Sequence, residues 1–310
     1  IAARPDVAMY HANRGRVLKA SGNNIAAASA YSLALRLEPG DGIILSDLAG
    51  SLLDSGNAQV AILFAKRAVD RVPELAAAHY NYGLAAKLTN QSKLAHSGFS
   101  KAIELEPSFA AANFELGELF QSEKNNVLAE KYYRHALGVD PMLFEAHVNL
   151  GNLLRERFEL EKAVAQYHQA LAINPNEPTL HANLGVAFQE QGNIEDALEA
   201  YDRAIYLDPK NPETQRNRAQ LLLQMGRYSE GWPAFDWRWK TGHFTEIRRE
   251  WRQPEWDGQM GKELTVLVHA EQGFGDTIQF SRYLPLLAEK VGKVLVECPM
   301  ELIDLIANCG

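Results

Sequence analysis

The chain has 310 residues, enough for two domains of ordinary size. A hydrophobic fraction of 46% against 23% charged residues excludes a disordered or low-complexity chain, and no uncharged apolar run approaches the roughly 18 residues of a membrane span. A net charge of −8, with no basic stretch in either half, argues against nucleic acid as a partner.

From the N-terminus onward one period dominates. Prolines stand at Pro5, Pro39, Pro73, Pro107, Pro141, Pro175 and Pro209, each 34 residues after the last. Gly15, Gly83, Gly117, Gly151 and Gly185 keep the same step, with Ala49 and Ala219 completing their column. Ala27, Ala61, Ala95, Ala129, Ala163 and Ala197 form a second column that ends in Gly231. A ring column holds Tyr31, Phe99, Tyr133, Tyr167, Tyr201 and Phe235, interrupted by Ala65. A fixed period of this length marks a repeat architecture.

This pattern resembles the tetratricopeptide repeat (TPR): Gly, then Ala, an aromatic, Ala and Pro at set offsets. The resemblance covers seven units, residues 5–242, and implies a mainly α, right-handed α-solenoid. The residues read the same way. In the fifth unit, apolar spacing predicts helices over 144–157 and 160–173. Gly151 and Ala163 are small where the helices approach, Tyr167 is expected to fill the gap between units, and Pro175 ends the unit because it has no N–H to continue a helix. A single pair cannot bury its apolar face, so stacking makes the core.

Numbering each unit so that the glycine column is position eight, position six reads Asn13, Asp47, Asn81, Glu115, Asn149, Asn183 and Asn217. At 100° per residue this column lies about 160° from positions four and eight, pointing away from the packing seam into the inner groove. Asn is a mediocre helix former, so its recurrence calls for a reason. Its carboxamide carries a donor and an acceptor, matching the N–H and C=O of an extended peptide. The column resembles the asparagine ladder of the nucleocytoplasmic O-GlcNAc transferase solenoids, which implies an extended protein or peptide partner. A solvated polar face is the alternative. At position four, His11, His79, His147 and His181 share the packing side. They are too far apart for one metal at about 2 Å, and read as core rings with a local hydrogen bond.

After the repeats the composition changes. All five tryptophans, Trp232, Trp237, Trp239, Trp251 and Trp256, cluster at the junction, where packing rather than ligand binding is expected of them. Residues 243–262 read as a linker. In 263–310, Leu264–His269 reads as a buried strand, Glu271–Asp276 as a Gly-containing turn, Thr277–Ala288 as a helix, Lys293–Cys298 as a second strand and Glu301–Ala307 as the start of another helix. Strand–helix–strand of this size opens a doubly wound, Rossmann-like sheet. Cys298 and Cys309 form no Cys-x-x-Cys pair, which points to a reducing, cytoplasmic compartment.

The stretch PEWDGQMGKELTVLVHAEQGFGDTIQFSRYLPLLAEK resembles the segment that follows the repeats in bacterial TPR proteins with a glycosyltransferase-like C-terminal region. Its GFGD turn also resembles the first strand–turn–helix of the heptosyltransferases. The resemblance implies that Asp276 is the base for an acceptor hydroxyl, that Gly273 and Gly275 let the backbone approach a substrate, and that the complete protein uses a sugar nucleotide. From the residues alone, Asp276 and Gln279 make a capping box for a helix starting at Thr277. The residues after Lys262 are too few for a donor domain, so this chain is expected to hold no cofactor and transfer no sugar alone. Self-association and a non-catalytic scaffold remain open.

Overall fold

The computed structural model describes residues 6–242, 252–271 and 273–308. The chain divides into two compact units, Ile1–Trp232 and Pro233–Gly310. The first holds helices in pairs: α1 (Ala8–Ala20) with α2 (Asn24–Leu37), α3 (Gly42–Asp54) with α4 (Ala58–Arg71), α5 (Ala76–Leu88) with α6 (Ser92–Leu105), and α7 (Ala110–Ser122) with α8 (Asn126–Val139). The series continues with α9 (Phe144–Glu156) and α10 (Leu160–Ile173), α11 (Pro178–Gln191) and α12 (Ile194–Leu207), and α13 (Pro212–Gln224) and α14 (Tyr228–Phe235), whose last three residues already belong to the second unit. The last helix is short, carries Pro233 inside it, and is followed by a 3-10 segment, Asp236–Lys240.

Two backbone devices set the helix boundaries. Glu38, Val72, Glu106, Asp140, Asn174 and Asp208 precede the column prolines and have φ between −125° and −138°. The proline ring pushes the residue before it into this extended range and so ends each second helix. Within each pair, position fifteen is left-handed: Gly22, Gly56, Asn90, Lys124, Phe158, Gly192 and Gly226 have φ from 58° to 82°. Side chains at Lys124 and Phe158 therefore work against the backbone they occupy.

Packing within a pair rests on one reciprocal fit. A Cβ placed on Gly15 would lie 2.6 Å from the Tyr31 ring, and the same holds for Gly117 and Tyr133 at 2.7 Å, Gly151 and Tyr167 at 2.5 Å, and Gly185 and Tyr201 at 2.7 Å. Each ring packs directly against the glycine of its own unit. Tyr167 was expected between units; it fills the space inside its pair, because the missing Cβ of Gly151 is what makes room for it. The second unit changes both partners together, to Ala49 and Ala65, each fully buried. The rings Tyr31, Tyr133, Tyr167, Tyr201 and Phe99 are the largest fully buried side chains of the core.

In the second unit, β1 (Gly261–His269) and β2 (Val291–Glu297) pair in parallel, with Thr265–His269 opposite Lys293–Glu297. Between them lie α15 (Phe274–Ser281) and α16 (Leu284–Lys290); a 3-10 turn, Met300–Leu302, leads into α17 (Ile303–Ala307). Among the described residues the sheet has these two strands. The single helix expected over 277–288 is two, because Pro285, in the first turn of α16, has no N–H to carry α15 onward. The capping box also fails: α15 starts at Phe274, its N-cap is Gly273, and no side chain caps it. The linker expected over 243–262 lies partly outside the described residues, and its last two residues already belong to β1. Trp251 and Cys309 lie outside them as well. No described helix is long and apolar enough to cross a membrane.

Phe158 is 78% exposed at its φ of 58°, so its ring contributes little to offset the backbone conformation. Phe158→Gly is expected to raise stability by about 1 kcal/mol in chemical denaturation, net of the added freedom of the unfolded chain.

Candidate functional site: the first-helix face

The odd-numbered helices α1 to α13 are the first helices of the pairs, and hydrogen bonds join consecutive ones along a common face. The position-six side chains make most of these bonds. Arg16 Nε donates to Asp47 Oδ2 at 3.2 Å and Arg16 Nη1 to Asn13 Oδ1 at 3.0 Å. Asn81 Nδ2 donates to the Ser46 carbonyl at 3.0 Å and to Ser46 Oγ at 3.1 Å. Lys87 Nζ donates to Glu115 and Glu118, both at 2.6 Å. Asn149 Nδ2 lies 3.4 Å from Glu118 Oε1 and from the Tyr133 hydroxyl, and Asn183 Nδ2 lies 3.4 Å from Asn152 Oδ1. Asn217 Oδ1 accepts from Arg216 Nη2 at 3.2 Å.

The structure thus brings all seven position-six residues onto the first helices, from exposed Asn13 to half-buried Asp47, Asn81, Glu115, Asn149, Asn183 and Asn217. The expectation that they stand clear of the seam needs correction. Position six reaches back to the first helix of the preceding unit at Asp47, Asn81, Glu115, Asn149 and Asn183, because parallel first helices place it opposite positions five, nine or twelve of that neighbour. At Asn81 the carboxamide NH2 is already engaged, and its Oδ1 is the group left to accept from a ligand.

Burial tunes the charges on this face. It pushes the Asp47 carboxyl up, against the pull of Arg16, and pushes Glu115 up despite the Lys87 ammonium. For Lys87 desolvation is the largest influence and lowers the value, but the bonds to Glu115 and Glu118 together outweigh it and leave the amine raised. The tyrosine hydroxyls belong to the same network. Tyr133 donates to Gln121 Oε1 at 2.6 Å, Tyr167 to Asn152 Oδ1 at 2.8 Å and Tyr201 to Gln189 Oε1 at 3.0 Å. Burial pushes the Tyr31 phenol up to about 12, with the Asp47 carboxylate adding to the effect.

The position-four histidines make a local hydrogen bond, as expected, and its partner is the same in each described case. His79, His147 and His181 place Nε2 at 2.8, 3.0 and 2.9 Å from the carbonyls of Pro73, Pro141 and Pro175. In the seventh unit Gln215 Nε2 takes the place of the ring, 3.1 Å from the Pro209 carbonyl. At these four prolines a polar donor six residues on satisfies a carbonyl in the inter-unit turn, whereas Leu45 follows Pro39 at that spacing and Asn113, after Pro107, donates to the Phe109 carbonyl instead. The spacing Pro-x5-His was present in the sequence and is the signal that identifies this clasp. Among the described residues no group of three His, Cys, Asp or Glu side chains converges as a metal site would require.

In the C-terminal unit, Gly273 has φ 55° and ψ 145°, a conformation essentially reserved for glycine. Gly275 lies in the first turn of α15 with open space around its Cα, and Asp276 is exposed in the same turn. Arg238 donates to Glu271 at 3.2 Å, and its guanidinium lies over the rings of Phe235 and Trp239 at 4.8 and 4.4 Å. Trp232 and Trp256 are 59% and 40% exposed.

Family models of the tetratricopeptide repeat match residues 12–76, 151–192 and 178–211. No curated protein matches the sequence. Among solved structures the chain is similar to YrrB, a TPR protein with an unusual peptide-binding site, at 24% identity and TM-score 0.52 over 64% of this chain and 99% of that one. It is also similar to the pilF protein of Pseudomonas aeruginosa, at 17% identity and TM-score 0.57 over 66% and 95% of the two chains. The C-terminal part of a TPR protein from Cytophaga hutchinsonii gives 15% identity and TM-score 0.57 over 74% and 92%. These likenesses establish the fold of the helical unit. Residues 12–76 and 151–211 are tetratricopeptide repeats, and the units between them share the same paired-helix construction.

Proposed function

We propose that the helical unit is a protein-interaction scaffold that holds an extended peptide along its first-helix face, in a cytoplasmic setting. The observation that carries this reading is the position-six column: seven polar side chains on successive helices, five of them Asn, with Asp47, Asn81, Glu115, Asn149 and Asn183 held by bonds to the preceding unit. Packed helices lie roughly 8–10 Å apart and an extended chain rises about 3.3 Å per residue, so one rung serves about every third peptide residue. At Asn81, Asn149 and Asn183, where the NH2 is directed to the neighbouring helix, the carboxamide Oδ1 accepts a peptide N–H, and at Asn13 and Asn217, whose Oδ1 accepts from an arginine, the NH2 donates to a peptide C=O, which favours backbone recognition over side-chain recognition. YrrB, a TPR protein with an unusual peptide-binding site, is consistent with this reading. In the test, a peptide is selected from a random unstructured library against the 310-residue chain and titrated against an Asn149→Ala, Asn183→Ala, Asn217→Ala variant. At about 1 kcal/mol per lost bond the affinity should fall roughly a hundredfold. Unchanged affinity in a folded variant refutes the reading.

A second reading concerns the C-terminal unit, as the opening of a glycosyltransferase-like domain in a larger protein that uses a sugar nucleotide. It is favoured by the parallel β1–β2 pair with a helical crossover, and by Asp276 standing exposed after the left-handed Gly273. In that role Asp276 would accept the proton of an acceptor hydroxyl, with Gly273 and Gly275 leaving the approach open. Among the described residues the sheet is one strand pair, without a second domain for a donor. The 310-residue chain is therefore expected to show no sugar transfer in a labelled sugar-nucleotide assay, and measurable transfer contradicts that expectation.

A further inference from the structure

The second helices carry a charge asymmetry that the first-helix face does not use. α2 and α4 hold Arg36, Lys66, Arg67 and Arg71 against the lone carboxylate Asp70, in a chain whose net charge is −8. Four repeats further along, α12 reverses the balance, with Glu195, Asp196, Glu199 and Asp202 against Arg203. Lys66 is neutralised by Asp70 at 2.8 Å, but Arg36 and Arg67 have no carboxylate partner among the described residues. On α12, Asp202 pairs with Arg218, while Glu195, Asp196 and Glu199 have no cationic partner there.

Shape follows the same division. α4 buries only alanines, Ala61, Ala65 and Ala68, because the ring column is interrupted at Ala65. Beside α2 and the end of α3 lies a cleft of about 540 Å³ that Ile25 and Leu52 line together with Ser29, Ser55 and Asn57, adjoined by a second of about 240 Å³ lined in part by Leu48 and by Phe64 of α4. Arg36 lines both and Arg67 the second, so an apolar floor carries a cationic rim. On α12, Glu195, Glu199, Asp202 and Tyr206 follow the i, i+4, i+7, i+11 spacing of a single helical face. Tyr206 is 76% exposed, an apolar knob at the end of an acidic stripe.

We infer that the α2–α4 cleft receives α12 of a second copy of this chain, with Tyr206 over the apolar floor and Glu195 and Glu199 facing Arg36 and Arg67. The contact joins unlike faces of two copies. It therefore propagates into open chains unless its rotation closes a ring, and it leaves the first-helix face free. Opposed charges at an exposed contact are screened by salt, so assembly is favoured at low ionic strength.

Sedimentation velocity over a concentration series tests this directly. The wild-type chain is expected to grow in mass with concentration at low salt and to return to monomer at high salt. Arg36→Glu with Arg67→Glu, and separately Glu195→Arg with Glu199→Arg, should each weaken association by about tenfold or more, since like charges then face each other. All four side chains are exposed, so both variants should keep the wild-type circular dichroism spectrum. Mixing the two variants restores assembly, because each then supplies the face the other has lost. A wild-type chain that stays monomeric at low salt overturns the inference, as does assembly undiminished in both variants, or a mixture that fails to pair. A free acidic peptide that binds the cleft of a strictly monomeric chain overturns it too.

Discussion

In five of the seven pairs a missing Cβ on the first helix makes room for an aromatic ring on the second, and the packing of the helical unit depends on that fit. In five of the units a methyl group at position eight would stand 2.5–2.8 Å from ring carbons, far inside van der Waals contact. The ring in turn occupies the space that would otherwise separate the helices. Pair geometry is therefore set within each unit, and stacking repeats it. The second unit obeys the same rule from the other side, having lost ring and glycine together.

The fit also carries the polar chemistry. A tyrosine ring lying on glycine extends its hydroxyl to the first helix, where Gln121, Asn152 and Gln189 accept from Tyr133, Tyr167 and Tyr201. Position-six side chains join the same network from the next unit, as Asn149 does at Tyr133. The face proposed to bind peptide is thus braced by the core beneath it, which limits the side-chain freedom lost on binding. On the second helix of the second unit the absent ring leaves three fully buried alanines, Ala61, Ala65 and Ala68.

Much of this was legible in the sequence. Prolines in one 34-residue period located the unit boundaries, since proline and the residue before it have few backbone options. The helices of the fifth unit followed from apolar spacing to within one residue. Other features were hidden for physical reasons. The left-handed position fifteen is disguised where Asn90, Lys124 and Phe158 stand in place of glycine, because stacking holds a conformation those residues do not prefer. The engagement of position six with its neighbour depends on the distance between units, which a single helical wheel does not contain. The split between α15 and α16 was marked by Pro285, but apolar spacing ran through it. Beyond the parallel strand pair, the glycosyltransferase-like resemblance of residues 263–310 finds no counterpart among the matched families and structures described above.

The reciprocal fit is tested most directly in the repeat that lacks it. Ala65→Tyr alone should be destabilising by about 1–3 kcal/mol, because the new ring meets the Ala49 methyl. Adding Ala49→Gly should recover most of that loss in thermal and urea denaturation, giving a coupling above about 1 kcal/mol between the two positions. If the two substitutions instead add independently, within about 0.5 kcal/mol, the pairing of glycine and ring does not govern how these helices pack.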